Sequence, residues 1–415
     1  MRNKGTAMIK IMMLSAAISL AATPLVAKEE AEVMHWWTSG GESAAIKVLA
    51  DAYEAEGGSW KDSAVAGGSN ARSAAINRMI GGSPTTAALF NTSQQYHEMI
   101  AEGMLNNLDS IAISNDWDEI LPKPTLDAIK VNGHYYAAPV NIHMPTWFWY
   151  SKKAFNDSGI ATEPQTIDEL FAALDKLKAS GYIPLALGGQ KWQENLLFMA
   201  VLSNVGGKQL YLDVLKKRDA KTLNSPEFHK VVDTFLKLKP YVDSGSPGRN
   251  WNDTTSLVIN DKAGIQVMGD WAKGEFTQAK KRPNRDYGCF AGLGDDSLYI
   301  VGGDVFVFPK TEDKQQILAQ EKLVETMLKP LTQIRFNRLK GSIPVRTDID
   351  VSSMGRCAQL GSRILRDESR QVPDGSMLME SYRYGSVKDA ITEVWNSRDM
   401  SSKKAVKILS QALQG

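Results

Sequence analysis

Two carboxylates, Glu42 and Asp304, are the pair around which hydrolytic chemistry would have to be built. Cutting a glycoside needs an acid and a second carboxylate roughly 5–10 Å apart, and sequence separation fixes no such distance. Other chemistries find less. The five histidines, His35, His97, His134, His143 and His229, stand at no metal-ligating spacing from one another, and His97-Glu98 lacks the second histidine of a zinc protease. No Gly-x4-Gly-Lys-Ser/Thr, Gly-x-Gly-x-x-Gly or Gly-x-Ser-x-Gly motif occurs, and neither Cys289 nor Cys357 lies in a nucleophile signature. The sequence therefore gives no catalytic residue, no metal site and no cofactor.

Ten tryptophans point elsewhere, because Trp36, Trp37, Trp147, Trp149, Trp192, Trp251 and Trp271 fall where strands should end. In a parallel sheet the strand ends face the ligand crevice. A pyranose offers an apolar C–H face and a rim of hydroxyls, so its site wants aromatic faces beside Asp, Glu, Asn or Lys. Trp36-Trp37-Thr38-Ser39-Gly40-Gly41-Glu42 supplies both kinds. Trp147 and Trp149 fit a core better. Neighbouring strand residues point to opposite faces, so the Trp36-Trp37 pair would need burial on both sides to be structural.

The elements that position these residues follow from periodicity. Short apolar runs alternate with helical patterns through Glu32–Trp37, Glu42–Glu56, Ser63–Ala66, Ala71–Met79, Ala87–Asn91 and Gln94–Glu102, which reads as βα units on a parallel sheet. Asn132-Gly133 predicts a two-residue hairpin, followed by an extended stretch whose Pro139 resists helix. Helical patterns then dominate: Ile167–Ser180, Glu194–Asn204, Gln209–Lys217, Ser225–Leu238 and Asp270–Lys280, with a strand at Gly264–Met268. Ser297–Pro309 returns to strand character before Gln315–Leu328, Leu331–Leu339 and a mainly helical end from about Asp348. The chain thus leaves a first lobe and later revisits it.

Arg2, Lys4 and Lys10 precede the apolar run Ile11–Leu20 and small residues, the layout of a secretory signal peptide cleaved after Ala27. About 388 residues follow, more than one core accommodates. A net charge of +1 without a basic block gives no electrostatic reason for nucleic acid or an anionic membrane as partner. In an oxidising compartment Cys289 and Cys357 either pair, closing a long loop for about 4 kcal/mol, or stay as two buried thiols.

His35–Glu42, Pro139-Val140-Asn141-Ile142-His143, Gly269-Asp270-Trp271, Gly302-Gly303-Asp304 and Lys340-Gly341-Ser342-Ile343-Pro344-Val345-Arg346 together resemble the extracellular solute-binding proteins of ABC sugar transporters, in the branch similar to glucose/mannose-binding proteins. The resemblance implies an α/β, two-lobed periplasmic binding protein fold of type II character with the ligand cleft between lobes. It places residues 28–139 plus about 296–340 in the first lobe and about 143–293 plus 345–415 in the second. Hinge crossings are expected near 140–142, 293–296 and 341–345. It implies Trp36, Trp37 and Glu42 on the first lobe, Trp271 stacking from the second, Asp304 and Lys340 bonding hydroxyls, and Trp192 and His143 near the cleft. The duller roles are Asp270 as a helix cap, Lys340 as a solvated helix-end cation and His143 as a hinge residue.

Two positions depart from the glucose-binding relatives. Phe90-Asn91-Thr92 stands where they carry a lysine, with Asn91 the candidate replacement, and Val372–Met377 stands where they carry a histidine. Another hexose, a sugar alcohol or a short oligosaccharide is therefore as eligible as glucose. The implied role is a monomeric periplasmic binding component that delivers sugar to an inner-membrane ABC permease. A periplasmic glycosidase or lyase, or a chemoreceptor sugar adaptor, would share the same aromatic cleft.

Overall fold

The computed structural model describes residues 28–415, so the predicted signal peptide, residues 1–27, lies outside the described residues. The first sheet opens with β1 (Glu30–His35), followed by helix α1 (Gly40–Ala55), strand β2 (Ser59–Ala64), helix α2 (Gly68–Ile80) and strand β3 (Ala87–Asn91). β1 lies between β2 and β3 and is parallel to both, as alternating βα units require. α1 starts at Ser39, whose hydroxyl accepts the Glu42 N–H and donates to the Glu42 carboxylate at 3.1 Å, so one short motif ties the helix start to a candidate site residue.

The sheet is completed by β4 (Ala137–Pro139) and, after a long excursion, β9 (Asp304–Val307), in the order β2-β1-β3-β9-β4. β9 runs antiparallel to both its neighbours, a departure from the all-parallel sheet that the βα pattern predicts. The reason is the route: β9 enters from the far side of the crevice, so its first residue, Asp304, pairs with Asn91 at the last position of β3. The Asn132-Gly133 hairpin forms, with both residues at positive φ, 52° and 85°.

The second sheet has the order β8-β5-β7-β6, from β5 (Trp147–Ser151), β6 (Ile183–Ala186), β7 (Ala263–Met268) and β8 (Tyr287–Phe290). Every residue of β5 is buried, so this strand shows a continuous apolar run rather than alternation. Trp147 and Trp149 pack inside, as their sequence context suggests. Around this sheet lie helix α3 (Lys191–Leu212), the short α4 (Ala272–Gln278) and the two helices α8 (Ser381–Asn396) and α9 (Ser402–Gln414). Helices α5 (Lys314–Leu328), α6 (Pro330–Lys340) and α7 (Arg356–Leu365) make up the return. Cys289 on β8 and Cys357 on α7 form a disulfide.

The path between the sheets is narrow. Ile142 pairs with Ile343, and His143 with Gly302, as isolated antiparallel bridges. α4 also meets the first sheet's helices: Glu275 accepts the Gly41 N–H at 2.8 Å, and Lys273 Nζ donates to the Arg338 carbonyl at 2.8 Å. An acid thus faces the start of α1 and a cation the end of α6, the favourable sense for both helix dipoles.

Candidate functional site

Asp304, at the start of β9 and 3% exposed, is the centre of the site. Its Oδ1 accepts from Asn91 Nδ2 at 2.9 Å, and its Oδ2 accepts from Asn141 Nδ2 and His143 Nε2, each at 2.9 Å. Asn141 closes the knot by accepting the Asp304 N–H at 2.7 Å. The residues converge because β3 ends, β4 exits and β9 begins at one edge of the first sheet.

His143 continues the network across the crossing. Its Nδ1 bonds Asp270, whose second oxygen accepts the Met144 N–H at 3.0 Å. Burial alone would lower the His143 pKa, but Asp270 and Asp304 outweigh it and raise the pKa to about 9. Burial pushes the Asp304 carboxyl up, while His143, Lys340 and Asn141 more than offset that and hold it below the ordinary range. Asp270 is therefore an ion-pair partner and not the helix cap of its alternative reading. At neutral pH the centre is an imidazolium, His143, held between the Asp304 and Asp270 side chains and nearly dry on every side.

Lys340 ends α6 and is 3% exposed, which removes the solvated-cation alternative. Its Nζ donates to Glu42 Oε1 at 3.2 Å and lies 5.4 Å from the Trp37 ring and 5.8 Å from the Trp271 ring. Gly341 follows at φ 98°, and a Cβ there would come within 2.3 Å of the Asp270 carbonyl, so glycine is needed both to end α6 and to let the chain pass the site.

The tryptophans divide. Trp271 is half-buried, edge-on to His143 at 5.1 Å and 6.2 Å from Trp192, so the two indoles form a wall beside the charged row. Its indole lies across Gly269, where a Cβ would sit 2.1 Å from the ring. Trp37 is 1% exposed and packs against Phe306 and Phe336. It is thus the floor under Lys340 rather than an open stacking face, because the residue two after the end of β1 turns into the first core. Trp36 is half-buried with the Arg72 guanidinium 5.1 Å over its ring.

The sequence reading missed Arg72 and Asn141 as site residues. Arg72 donates to Asn91 Oδ1 at 3.0 Å. It is the fifth residue of α2, and nothing in its spacing marks it. Asn141 lies within the stretch Pro139–His143, yet only the antiparallel return of β9 brings it to Asp304.

Glycoside hydrolysis by Glu42 and Asp304 would need one carboxyl held protonated. Asp304 is biased the other way, and Glu42 is occupied by Lys340 and Ser39. What the arrangement does suit is recognition of a polar ligand with one apolar face. Together with two sheets joined by narrow crossings, it defines a two-lobed α/β ligand-binding protein.

Comparison with known proteins agrees. The bacterial extracellular solute-binding protein family matches residues 37–330, and the chain belongs to that family. A probable sugar-binding periplasmic protein of Rhizobium meliloti (strain 1021) is 38% identical over 410 residues, covering 96% of this chain and 97% of the relative. Among solved structures, a chitin oligosaccharide binding protein superposes with a TM-score of 0.77 at 18% identity, covering 93% of this chain and 99% of its own. A bacterial solute receptor described as exclusively preferring β-D-galactopyranose gives 0.76 at 15% identity, covering 93% and 97%. At such identities the structures speak to the fold.

Proposed function

We propose that the protein is the periplasmic binding component of an ABC-type carbohydrate importer, which closes on a sugar between its lobes and presents it to the membrane permease. The observation that carries this reading is the Trp271–Trp192 wall set beside the buried row Asp304–His143–Asp270 and the Lys340–Glu42 pair. An indole face covers the C–H side of a pyranose while carboxylates, ammonium and Asn91 bond its rim. The periplasmic name of the Rhizobium relative and the sugars named for the two structural neighbours support it. Because those neighbours name a monosaccharide and an oligosaccharide, the choice between glucose-like hexoses and longer sugars belongs to the test.

A thermal-shift screen with hexoses, pentoses, sugar acids, sugar alcohols, oligosaccharides, amino acids and polyamines, followed by calorimetry, makes that test. A ligand at 100 times its Kd adds about 2.7 kcal/mol to stability. A shift with a carbohydrate, recovered unchanged afterwards, is expected. Shifts with amino acids or polyamines alone, or consumption of the sugar, overturn the proposal.

A further inference from the structure

Arg72 and Lys388 approach the same part of the site from opposite sides. Arg72, on α2, uses one Nη–H on Asn91, and its Nε–H is buried with no acceptor among the described residues. Lys388, on α8, is half-buried with its ammonium 5.0 Å from the Tyr384 ring centroid. Tyr384 packs over Gly375, where a Cβ would lie 2.9 Å from its ring, and the adjoining Ser376 Oγ lies 3.3 Å from the Thr92 carbonyl oxygen. Thr92 follows Asn91, so Arg72 and Lys388 are joined through Asn91, Thr92, Ser376, Gly375 and Tyr384, and they lie near enough for the Arg72 charge to act on Lys388.

The neighbouring carboxylates are already engaged. Asp389 pairs with Lys191, Asp374 is turned back onto the Ser376 N–H and hydroxyl at 2.9 and 2.6 Å, and Asp304 is held by Asn91, Asn141 and His143. Burial and the Arg72 charge pull the Lys388 pKa below its ordinary value, and Asp374 and Asp389 do not restore it. A neutral hydroxyl would satisfy the orphaned Nε–H and still leave the Arg72 charge acting on the Lys388 ammonium.

We propose that the ligand is an acidic sugar, a hexuronate or aldonate, whose carboxylate lies between Arg72 and Lys388. A carboxylate matches the guanidinium fork and neutralises both charges at once. This rests on the sugar-binding reading and names its substrate class.

Calorimetry of the purified protein with glucuronate, galacturonate and gluconate, each beside its neutral hexose, tests it. We expect an acid to bind at least tenfold tighter than its neutral counterpart, with an affinity that falls as salt rises. In K388Q and R72Q the acid-to-neutral ratio should drop at least tenfold, each variant first checked for an unchanged melting temperature without sugar. Should R72Q fail to fold, K388Q alone decides. Neutral sugars bound as well as or better than acids would overturn this inference and leave the sugar-binding reading standing. Failure of every carbohydrate would overturn both.

Discussion

His143 holds two buried carboxylates together and with them the pH response of the fold. Its pKa is raised from 6.5 to about 9, so the folded state favours the imidazolium. That contribution is complete below 6.5 and is lost as pH rises through about 9. The melting temperature of the unliganded protein should therefore decline across this window, and H143Q should be less stable but flatter there. A wild-type curve as flat as the variant's would remove the imidazolium from the account. Asp304 acts at the other end: its lowered pKa stabilises the fold above 3.8, and the gain disappears as pH falls below that value. Deleting one member strands the others, so H143A should cost about 3–5 kcal/mol in denaturant unfolding. Trp271→Ala is different, because a half-exposed wall residue carries less of the core. It should weaken sugar binding at least tenfold, about 1.4 kcal/mol, with the melting temperature without ligand nearly unchanged. Undiminished affinity would make Trp271 a packing residue only.

The seam among α1, α4 and α6 sets how closely the two halves approach at the element scale. A Cβ on Gly41 would fall 2.6 Å from the Gly274 carbonyl carbon, so the two backbones touch with nothing between them. Gly41→Ala should cost about 1–3 kcal/mol and weaken ligand binding together with stability, measurable by parallel denaturation and calorimetry. A loss of neither would show that the seam has slack. Elements with a clear period were legible in the sequence: α1, Ala87–Asn91 and Gly264–Met268 fall within two residues of their observed bounds. β2 was placed late, at Ser63–Ala66 instead of Ser59–Ala64, because Ser59-Trp60-Lys61-Asp62 is a half-exposed edge with no apolar signal. β5 was read as core tryptophans without being recognised as a strand, since an all-buried run has no alternation. Of the candidate residues, Asp304, Asn91 and His143 gather in one bonded cluster, and the Lys340–Glu42 pair lies near enough for the Lys340 charge to act on Asp304. Arg72 stayed hidden because an arginine on a helix is ordinarily a solvated one, and only its contacts with Asn91 and Trp36 and its unpaired Nε–H distinguish it.

Over the whole molecule, the proposed closure would turn about the paired crossings Ile142–Ile343 and His143–Gly302. Small-angle scattering should show a smaller radius of gyration with the bound sugar than without it, and identical profiles would argue for a rigid cleft. The disulfide acts at the same scale. Cys289 and Cys357 are 68 residues apart, and opening the bridge by C357S should cost about 4 kcal/mol in the loop-entropy picture, readable as a lower denaturation midpoint. Between these cysteines the chain leaves the second sheet, builds β9, α5 and α6 against the first, and returns. The bond therefore makes that whole excursion a covalent ring. A protease that nicks any loop within the ring opens it without separating the fragments, so the cut protein should migrate as one piece until a thiol reagent is added, with both halves of the cleft still tethered.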